Sequence, residues 1–152
     1  MLYRLIIFLL LNFSALAIGG FFTGEGVPSD WYSQLNKAPW EPPGWVFGAA
    51  WSTLMICFAI YMSFLWDISE NRKKIILLFM LQWVLNISWS PVFFCYNNII
   101  LGLIVISLLT CLIVYLLFSF RTNLRFKSIL ILPYLIWLLI ATSLNGYIFF
   151  NN

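Results

Sequence analysis

The chain has 152 residues, of which 63% are hydrophobic, 20% aromatic and 9% charged. Soluble domains carry about 25% charged residues, so this composition excludes an ordinary soluble domain and indicates a membrane protein. The net charge of +3 is too small and too scattered along the sequence to suggest nucleic-acid binding, which needs a concentrated basic face. The absence of histidine excludes a Ser-His triad, a His-ligated zinc and a proximal-His haem.

Three cysteines, Cys57, Cys95 and Cys111, lie in apolar stretches without a C-x-x-C spacing. A disulfide framework and a metal knuckle both need such spacing, so we expect neither a disulfide nor a metal site. Free cysteine is among the most buried residue types, which predicts three buried free thiols.

Five apolar stretches of 18 to 23 residues exclude every charged residue of the chain. They are Leu5–Phe22, Trp45–Trp66, Ile75–Tyr96, Ile99–Phe120 and Ser128–Phe150. At 1.5 Å per residue these lengths match a hydrocarbon core of about 30 Å, and continuous apolar runs do not fit the alternation of barrel strands. The sequence predicts an all-α, polytopic protein: one domain over residues 1–152, with five transmembrane helices.

The connections between these stretches differ strongly in charge. With five spans, one side of the membrane holds seven basic residues, whereas the other side holds Lys37 alone. The seven are Arg4, Arg72, Lys73, Lys74, Arg121, Arg125 and Lys127. By the positive-inside rule, the N-terminus is expected in the cytoplasm and the first loop and C-terminus outside.

The first stretch has an alternative interpretation as a secretory signal, because Arg4, the run Leu5–Leu11 and Ala15-Leu16-Ala17 fit that pattern. The apolar run continues beyond Ala17, and Gly20-x-x-x-Gly24 has a spacing that lets helices approach closely. Both features favour a membrane helix that is retained.

The first connection, from Thr23 to Gly44, is the longest at 22 residues. Its prolines restrict its conformations, and Trp31, Tyr32 and Trp40 give it apolar area to bury. These rings fit either an interfacial belt at headgroup level or a lid over a cavity between the helices. The length favours the lid, since loops this long in compact domains are commonly functional.

Polar and aromatic residues recur at helical spacing inside the stretches. Gln82, Asn86, Trp89 and Phe93 follow one face of the third stretch, and this face is expected to look into the bundle because an amide facing lipid has no partner. For Gln82 an interhelical hydrogen bond is an equally good interpretation. The intramembrane stretches contain no charged acid or base, which argues against a coupled pump.

Two further stretches carry similar stripes. Trp137, Ala141 and Asn145, with Leu144 beside them, recur on the fifth stretch, and Trp51, Met55, Phe58 and Met62 recur on the second. Such stripes are more often core than ligand site. Here three helices each direct a Trp inward without any charge, which suits a large, flat, apolar ligand with few polar groups.

Three ordered motifs resemble those of the TspO/translocator protein family, the tryptophan-rich sensory proteins, also known as the peripheral-type benzodiazepine receptor family. The first is Trp31-Tyr32-x-x-Leu35-x-Lys37-x-Pro39-Trp40-x-Pro42-Pro43 followed by Phe47 and Trp51. The second is Gln82-x-x-Leu85-Asn86-x-x-Trp89-Ser90-Pro91-x-Phe93-Phe94, and the third is Pro133-Tyr134-Leu135-x-Trp137-x-x-x-Ala141-x-Ser143-Leu144-Asn145. The resemblance extends over the whole chain.

The resemblance implies a five-helix receptor or sensor whose first loop closes a pocket for porphyrins and for synthetic drug ligands, without a required cofactor. Trp51, Asn86, Trp137 and Ala141 match ligand-contacting positions of the family. Tyr32, Pro42 and Phe93 are expected as loop and wall contacts. Trp89 and Leu144, from the stripes above, complete the expected ligand site.

Two other functions stay open on the same resemblance. Some relatives promote light-dependent breakdown of bound protoporphyrin, for which Trp51 and Trp137 are the candidate residues here, although the sequence has no conventional catalytic motif. Transport of porphyrin or haem is the other alternative, but five spans cannot divide into the two equal repeats of secondary transporters.

The sequence gives incomplete support for two other properties of the family, cholesterol binding and dimer formation. The cholesterol motif of the family needs a basic residue after Leu144 and Tyr147, and this chain ends in Asn151 and Asn152 without one, so sterol binding is doubtful. The family often forms homodimers. Gly20-x-x-x-Gly24 and Gly44-x-x-x-Gly48 fit contacts between protomers, but we favour packing within one bundle.

Overall fold

The computed structural model describes residues 2–152, and within this range it contains helices and no strands. The helices are α1 Leu2–Gly26, α2 Asp30–Gln34, α3 Gly44–Ile68, α4 Arg72–Ser90, α5 Ile99–Leu124 and α6 Leu132–Asn151. A π-helix, Pro91–Cys95, continues α4, and a 3-10 helix, Arg125–Ile131, joins α5 to α6.

Four helical stretches are long and apolar enough to cross a membrane: Leu2–Gly26, Gly44–Ile68, Arg72–Cys95 and Ile99–Asn151. The last has 53 residues, which would extend about 80 Å if it were one straight helix. It folds back on itself instead, since Thr110 Oγ1 of α5 lies 3.1 Å from Thr142 Oγ1 of α6. The prediction of an all-α, polytopic membrane protein is confirmed, and the count of five crossings stays a prediction.

The helices begin and end close to the predicted stretches, with two exceptions. The third stretch was expected to be one helix up to Tyr96, but its last turn is the π-helix. The fifth was expected from Ser128, but Ser128 lies in the 3-10 helix, and α6 begins at Leu132 with Pro133 in its first turn. Proline is favoured there because the first helical N–H groups have no intrahelical partner anyway.

An aromatic core joins α1, α3, α4 and α6. The Phe58 ring stacks on Phe79 with centroids 6.2 Å apart and meets Tyr134 edge-on at 5.3 Å. Phe8 of α1 packs against Phe79 at 5.0 Å. Offset and edge-to-face pairs of this kind are the preferred geometries of aromatic rings, so the contacts fix how the four helices approach one another.

The polar side chains inside the bundle connect helices to one another. Asn12 Nδ2 donates to the Met55 carbonyl oxygen at 3.1 Å, and Gln82 Nε2 donates to Tyr134 Oη at 2.7 Å. Trp83 Nε1 donates to the Leu11 carbonyl oxygen at 2.9 Å. The expectation that Gln82 faces the bundle is confirmed, and its amide serves helix packing.

The glycine pairs expected to pack within the bundle do not do so. A Cβ atom added at Gly20, Gly24, Gly44 or Gly48 would meet nothing within 4 Å in the described part of the chain. That expectation was wrong, because these faces of α1 and α3 point away from the neighbouring helices. Close approach occurs at Gly26 instead, where an added Cβ would lie 2.3 Å from Cγ of Phe94.

The cysteines are free, but their predicted burial was wrong for Cys95 and Cys111, which are exposed, while Cys57 is half-buried. A thiol behaves as a small apolar group, so a position facing the hydrocarbon suits it as well as a position in the core.

Replacing Gly26 by Ala should lower stability, because the new methyl group would overlap the Phe94 ring. Overpacking of this kind costs about 1–3 kcal/mol. Thermal unfolding in detergent measures the effect. The matched control is Gly20→Ala on the same helix, which has open space and should be neutral or stabilising by up to about 1 kcal/mol. Equal unfolding temperatures for the two variants would contradict the packing described here.

Candidate functional site

The first loop folds against the end of the bundle around the short helix α2. Ser29 caps α2, because its Oγ accepts from the Tyr32 backbone N–H at 3.2 Å. The same hydroxyl donates to the Gly26 carbonyl oxygen at 2.6 Å. One side chain therefore joins the end of α1 to the start of α2 and sets the direction in which the loop leaves the bundle.

Tyr32 is the centre of a polar contact within the loop. Its hydroxyl donates to Glu41 Oε1 at 2.7 Å, and Lys37 Nζ lies 4.1 Å from the ring centroid. Burial, followed by the hydrogen bond to Glu41, raises the pKa of Tyr32 well above its usual value. The phenol therefore remains a neutral donor that ties residue 32 to the proline-rich part of the loop.

The inner face of α2 packs on an aromatic wall formed by the π-helix. Trp31 meets Phe93 edge-on with centroids 5.3 Å apart, and Tyr32 meets Phe94 at 5.4 Å. Trp89 stacks on Phe93 at 5.2 Å with an interplanar angle of 13°. The rings of Trp31 and Tyr32 are thus half-buried against these side chains.

The π-helix explains why two consecutive phenylalanines are both buried. The Tyr96 backbone N–H donates to the Pro91 carbonyl oxygen, five residues earlier, at 3.1 Å. The wider turn changes the angle between successive side chains, so Phe93 and Phe94 both reach the interior. Phe93 is only 1% exposed.

The far side of this wall is α6. Trp89 Nε1 donates to Asn145 Oδ1 at 3.3 Å, and Asn145 Nδ2 donates to the Ala141 carbonyl oxygen at 3.0 Å. Gly102 of α5 allows Phe93 to come close, since an added Cβ would lie 2.9 Å from Phe93 Cδ2. The interior below the loop is therefore filled by these side chains in the present structure.

An open groove lies beside this packed region, between α3 and α6. Its volume is about 330 Å³. The lining residues are Val46, Ala49, Ala50, Thr53, Leu54, Pro133, Ile136 and Trp137. Trp137 is 7% exposed, and its indole N–H is buried without a hydrogen-bond partner in residues 2–152. The other residues of the wall are almost entirely apolar, and the Trp137 indole N–H is itself enclosed by protein.

The nine side chains predicted to bind ligand fall into three groups. Tyr32, Trp89 and Phe93 share the aromatic wall. Ala141, Leu144 and Trp137 are buried on α6. The remaining residues, Pro42, Trp51 and Asn86, are half-buried.

Trp51 and Asn86 stand apart from the other predicted residues. The Trp51 ring meets Tyr134 at 6.2 Å, which joins it to the core beside α6. The Asn86 side chain is half-buried, forms no hydrogen bond within residues 2–152 and does not line the groove between α3 and α6.

Sequence reasoning missed the contacts that hold the loop against α6. The Asn36 backbone N–H donates to Asn152 Oδ1 at 2.8 Å, and its side-chain Nδ2 donates to the Asn151 carbonyl oxygen at 2.9 Å. Trp40 Nε1 donates to Ser143 Oγ at 3.2 Å. Asparagine has no pattern that identifies a partner more than 100 residues away, so the sequence held no signal for this contact.

The sequence matches known proteins along nearly its whole length. The sequence model of the TspO/MBR family matches residues 7–150. The chain is 34% identical over 136 residues to Tryptophan-rich protein TspO of Archaeoglobus fulgidus, a match that covers 88% of this chain and 87% of that relative. It is 30% identical over 118 residues to Tryptophan-rich sensory protein of Cereibacter sphaeroides, covering 78% and 74%.

A more distant similarity links the chain to an animal protein. It is 29% identical over 136 residues to Translocator protein of Homo sapiens, with 87% of this chain and 79% of that protein covered. Since the family's sequence model covers α1 through α6, and the relatives match across the same length, the chain belongs to the TspO/MBR family of membrane proteins.

Proposed function

We propose that this protein is a multi-pass membrane receptor that binds protoporphyrin-type tetrapyrroles and senses their level. The observation that carries the proposal is that Trp137 lines an apolar groove and has a buried indole N–H without a partner in residues 2–152. Buried donors almost always have a partner, so an unpaired donor on a groove-lining side chain favours a ligand that separates α3 from α6 and brings an acceptor to it. A porphyrin offers a large apolar face together with ring nitrogens and carboxylates.

The size of the groove bears on how such a ligand would enter. Ligand pockets are usually about 300–1,000 Å³, so a groove of about 330 Å³ is at the lower end of this range. Ala49, Ala50 and Thr53 give α3 a smooth surface opposite α6. We propose that the ligand enters edge-on and separates α3 from α6, which brings its inner edge toward Trp51 and Ala141.

The first loop supplies the sensing element in this proposal. It contacts α6 through Trp40 and Ser143 and contacts the aromatic wall through Trp31 and Phe93. A ligand that pushes on α6 therefore changes the surface on which the loop rests. The loop shifts only as far as the ligand binds its two positions with different affinity.

Replacing Trp137 by Phe removes the N–H and keeps an aromatic ring in place. Loss of one hydrogen bond is worth about 0.5–1.5 kcal/mol, so the dissociation constant for protoporphyrin should rise by roughly two- to tenfold. Titration of the purified protein while following Trp fluorescence measures it. The control is Trp45→Phe, because the Trp45 side chain is 75% exposed. Binding by Trp137→Phe as tight as that of the control would refute the role given to this N–H.

Replacing Trp31 and Trp40 together by Ala tests the loop as a lid. The change removes the ring on Phe93 and the hydrogen bond to Ser143. We expect protoporphyrin dissociation to speed by about tenfold or more while association changes by less than about threefold, since mutations at one interface act mostly on the off-rate. Stopped-flow fluorescence separates the two rates.

The control for the loop experiment is Trp45→Ala, which removes an indole of equal size from an exposed position on α3. Hydrogen exchange adds a second readout, because residues 27–43 should exchange more slowly when protoporphyrin is bound. Unchanged exchange at saturating protoporphyrin would show that the loop aromatics serve as an interfacial belt.

A further inference from the structure

Seven of the eight basic residues lie at the end of the bundle opposite the first loop. Contacts between helices establish this. Arg4 of α1 forms an ion pair with Asp67 at the end of α3. Lys127 Nζ of the 3-10 helix lies 4.0 Å from the Phe64 ring, also near the end of α3. We call this end of the molecule the basic end.

The basic end has far more positive than negative charge. Its acidic residues are Asp67 and Glu70, against seven Lys and Arg, and Asp67 is already paired with Arg4. The other six basic residues are all exposed. Positive charges held this close together repel one another, so the surface favours an anionic partner that supplies counter-charge.

Several of these cations lie against aromatic rings. Arg72 Cζ lies 5.7 Å from the Trp66 ring centroid, and Arg121 Cζ lies 5.3 Å from that of Phe118. Lys74 Nζ lies 5.5 Å from the ring centroid of Tyr115 and equally far from that of Phe120. Rings next to basic side chains at the ends of membrane helices are typical of the boundary between hydrocarbon and headgroups, which would place these cations near lipid phosphates.

One exposed aromatic residue points to lipid as the partner. Phe126 lies between Arg125 and Lys127 in the connection from α5 to α6, and its side chain is 84% exposed. An exposed apolar ring between two cations fits a partner that is charged at the headgroup and apolar below it. A soluble anion has no such apolar part.

We infer that the basic end is a docking surface for anionic phospholipids. Lys74, Arg121, Arg125 and Lys127 would contact the headgroup phosphates, while Phe126 and the neighbouring rings contact the acyl chains. Basic side chains at the ends of membrane helices recognise anionic headgroups in this way. The loop end has Glu25, Asp30 and Glu41 against Lys37 alone, so the preference is confined to one leaflet.

The experiment uses the full chain reconstituted with equal amounts of phosphatidylglycerol and phosphatidylcholine, followed by native mass spectrometry of the lipids that stay bound. We expect phosphatidylglycerol to be retained at least about fivefold over phosphatidylcholine by the wild-type protein. The combined variant Lys74→Gln, Arg121→Gln, Arg125→Gln and Lys127→Gln should retain both lipids equally. Equal retention by the wild-type protein would overturn the inference.

The matched control is Lys37→Gln, which removes a cation from an aromatic ring at the opposite end. It should keep the wild-type preference, and loss of the preference in this variant would count against a surface at the basic end. The wild-type protein alone gives a second readout, because 0.5 M NaCl should reduce the preference by screening exposed charges. A preference that does not respond to salt would also overturn the inference.

Inorganic phosphate distinguishes a lipid surface from a general anion site. Phosphatidylglycerol should raise the unfolding temperature of the detergent-solubilised protein more than inorganic phosphate does at the same concentration. Equal stabilisation by the two would show that a free anion satisfies the surface, and the assignment to phospholipid would be wrong.

Discussion

The hydrocarbon interior offers no hydrogen-bond partner, and this constraint determines most of the structure. It requires the backbone to be helical where the chain is apolar, and it favours intramembrane amides that bind another helix. Asn12 and Gln82 follow this rule, since one binds a backbone carbonyl of α3 and the other binds the hydroxyl of Tyr134. The helices are therefore joined by aromatic packing together with a small number of specific hydrogen bonds.

Pro91 shows how a local change in helix geometry positions the first loop. Proline has no N–H to continue the α-helical pattern, and α4 changes to a π-helix at this residue. The change buries both Phe93 and Phe94, and these rings form the surface on which Trp31 and Tyr32 of the first loop rest. The position of the loop thus depends on an irregularity in a helix more than 50 residues further along the chain.

The sequence was sufficient for features that depend on composition and local pattern. Long apolar runs predicted the helices, and the amide of Gln82 predicted a face directed into the bundle. It was insufficient where the outcome depends on which neighbour a residue meets. Gly20 and Gly26 are both small residues on α1, but only Gly26 lies against another side chain, and nothing local distinguishes the two.

The candidate site also contains some residues whose contacts the sequence predicted and others whose contacts it did not. Trp89 and Phe93 share the face that their spacing predicted, and the structure places them in contact. The buried N–H of Trp137 and the hydrogen bonds of Asn36 could not be foreseen, because each depends on the arrangement of two elements that are distant in sequence.

The hydrogen bonds between Asn36 and the end of α6 have a consequence for biosynthesis. They join residues separated by 115 and 116 positions, so the first loop cannot reach its final position until α6 has been synthesised and inserted. Neighbouring elements such as α5 and α6 can pair much earlier, because their contacts are closer in the chain. During translation the loop can therefore pack against Phe93 and Phe94 once the π-helix has formed, whereas its contacts with Asn151 and Asn152 are among the last to form.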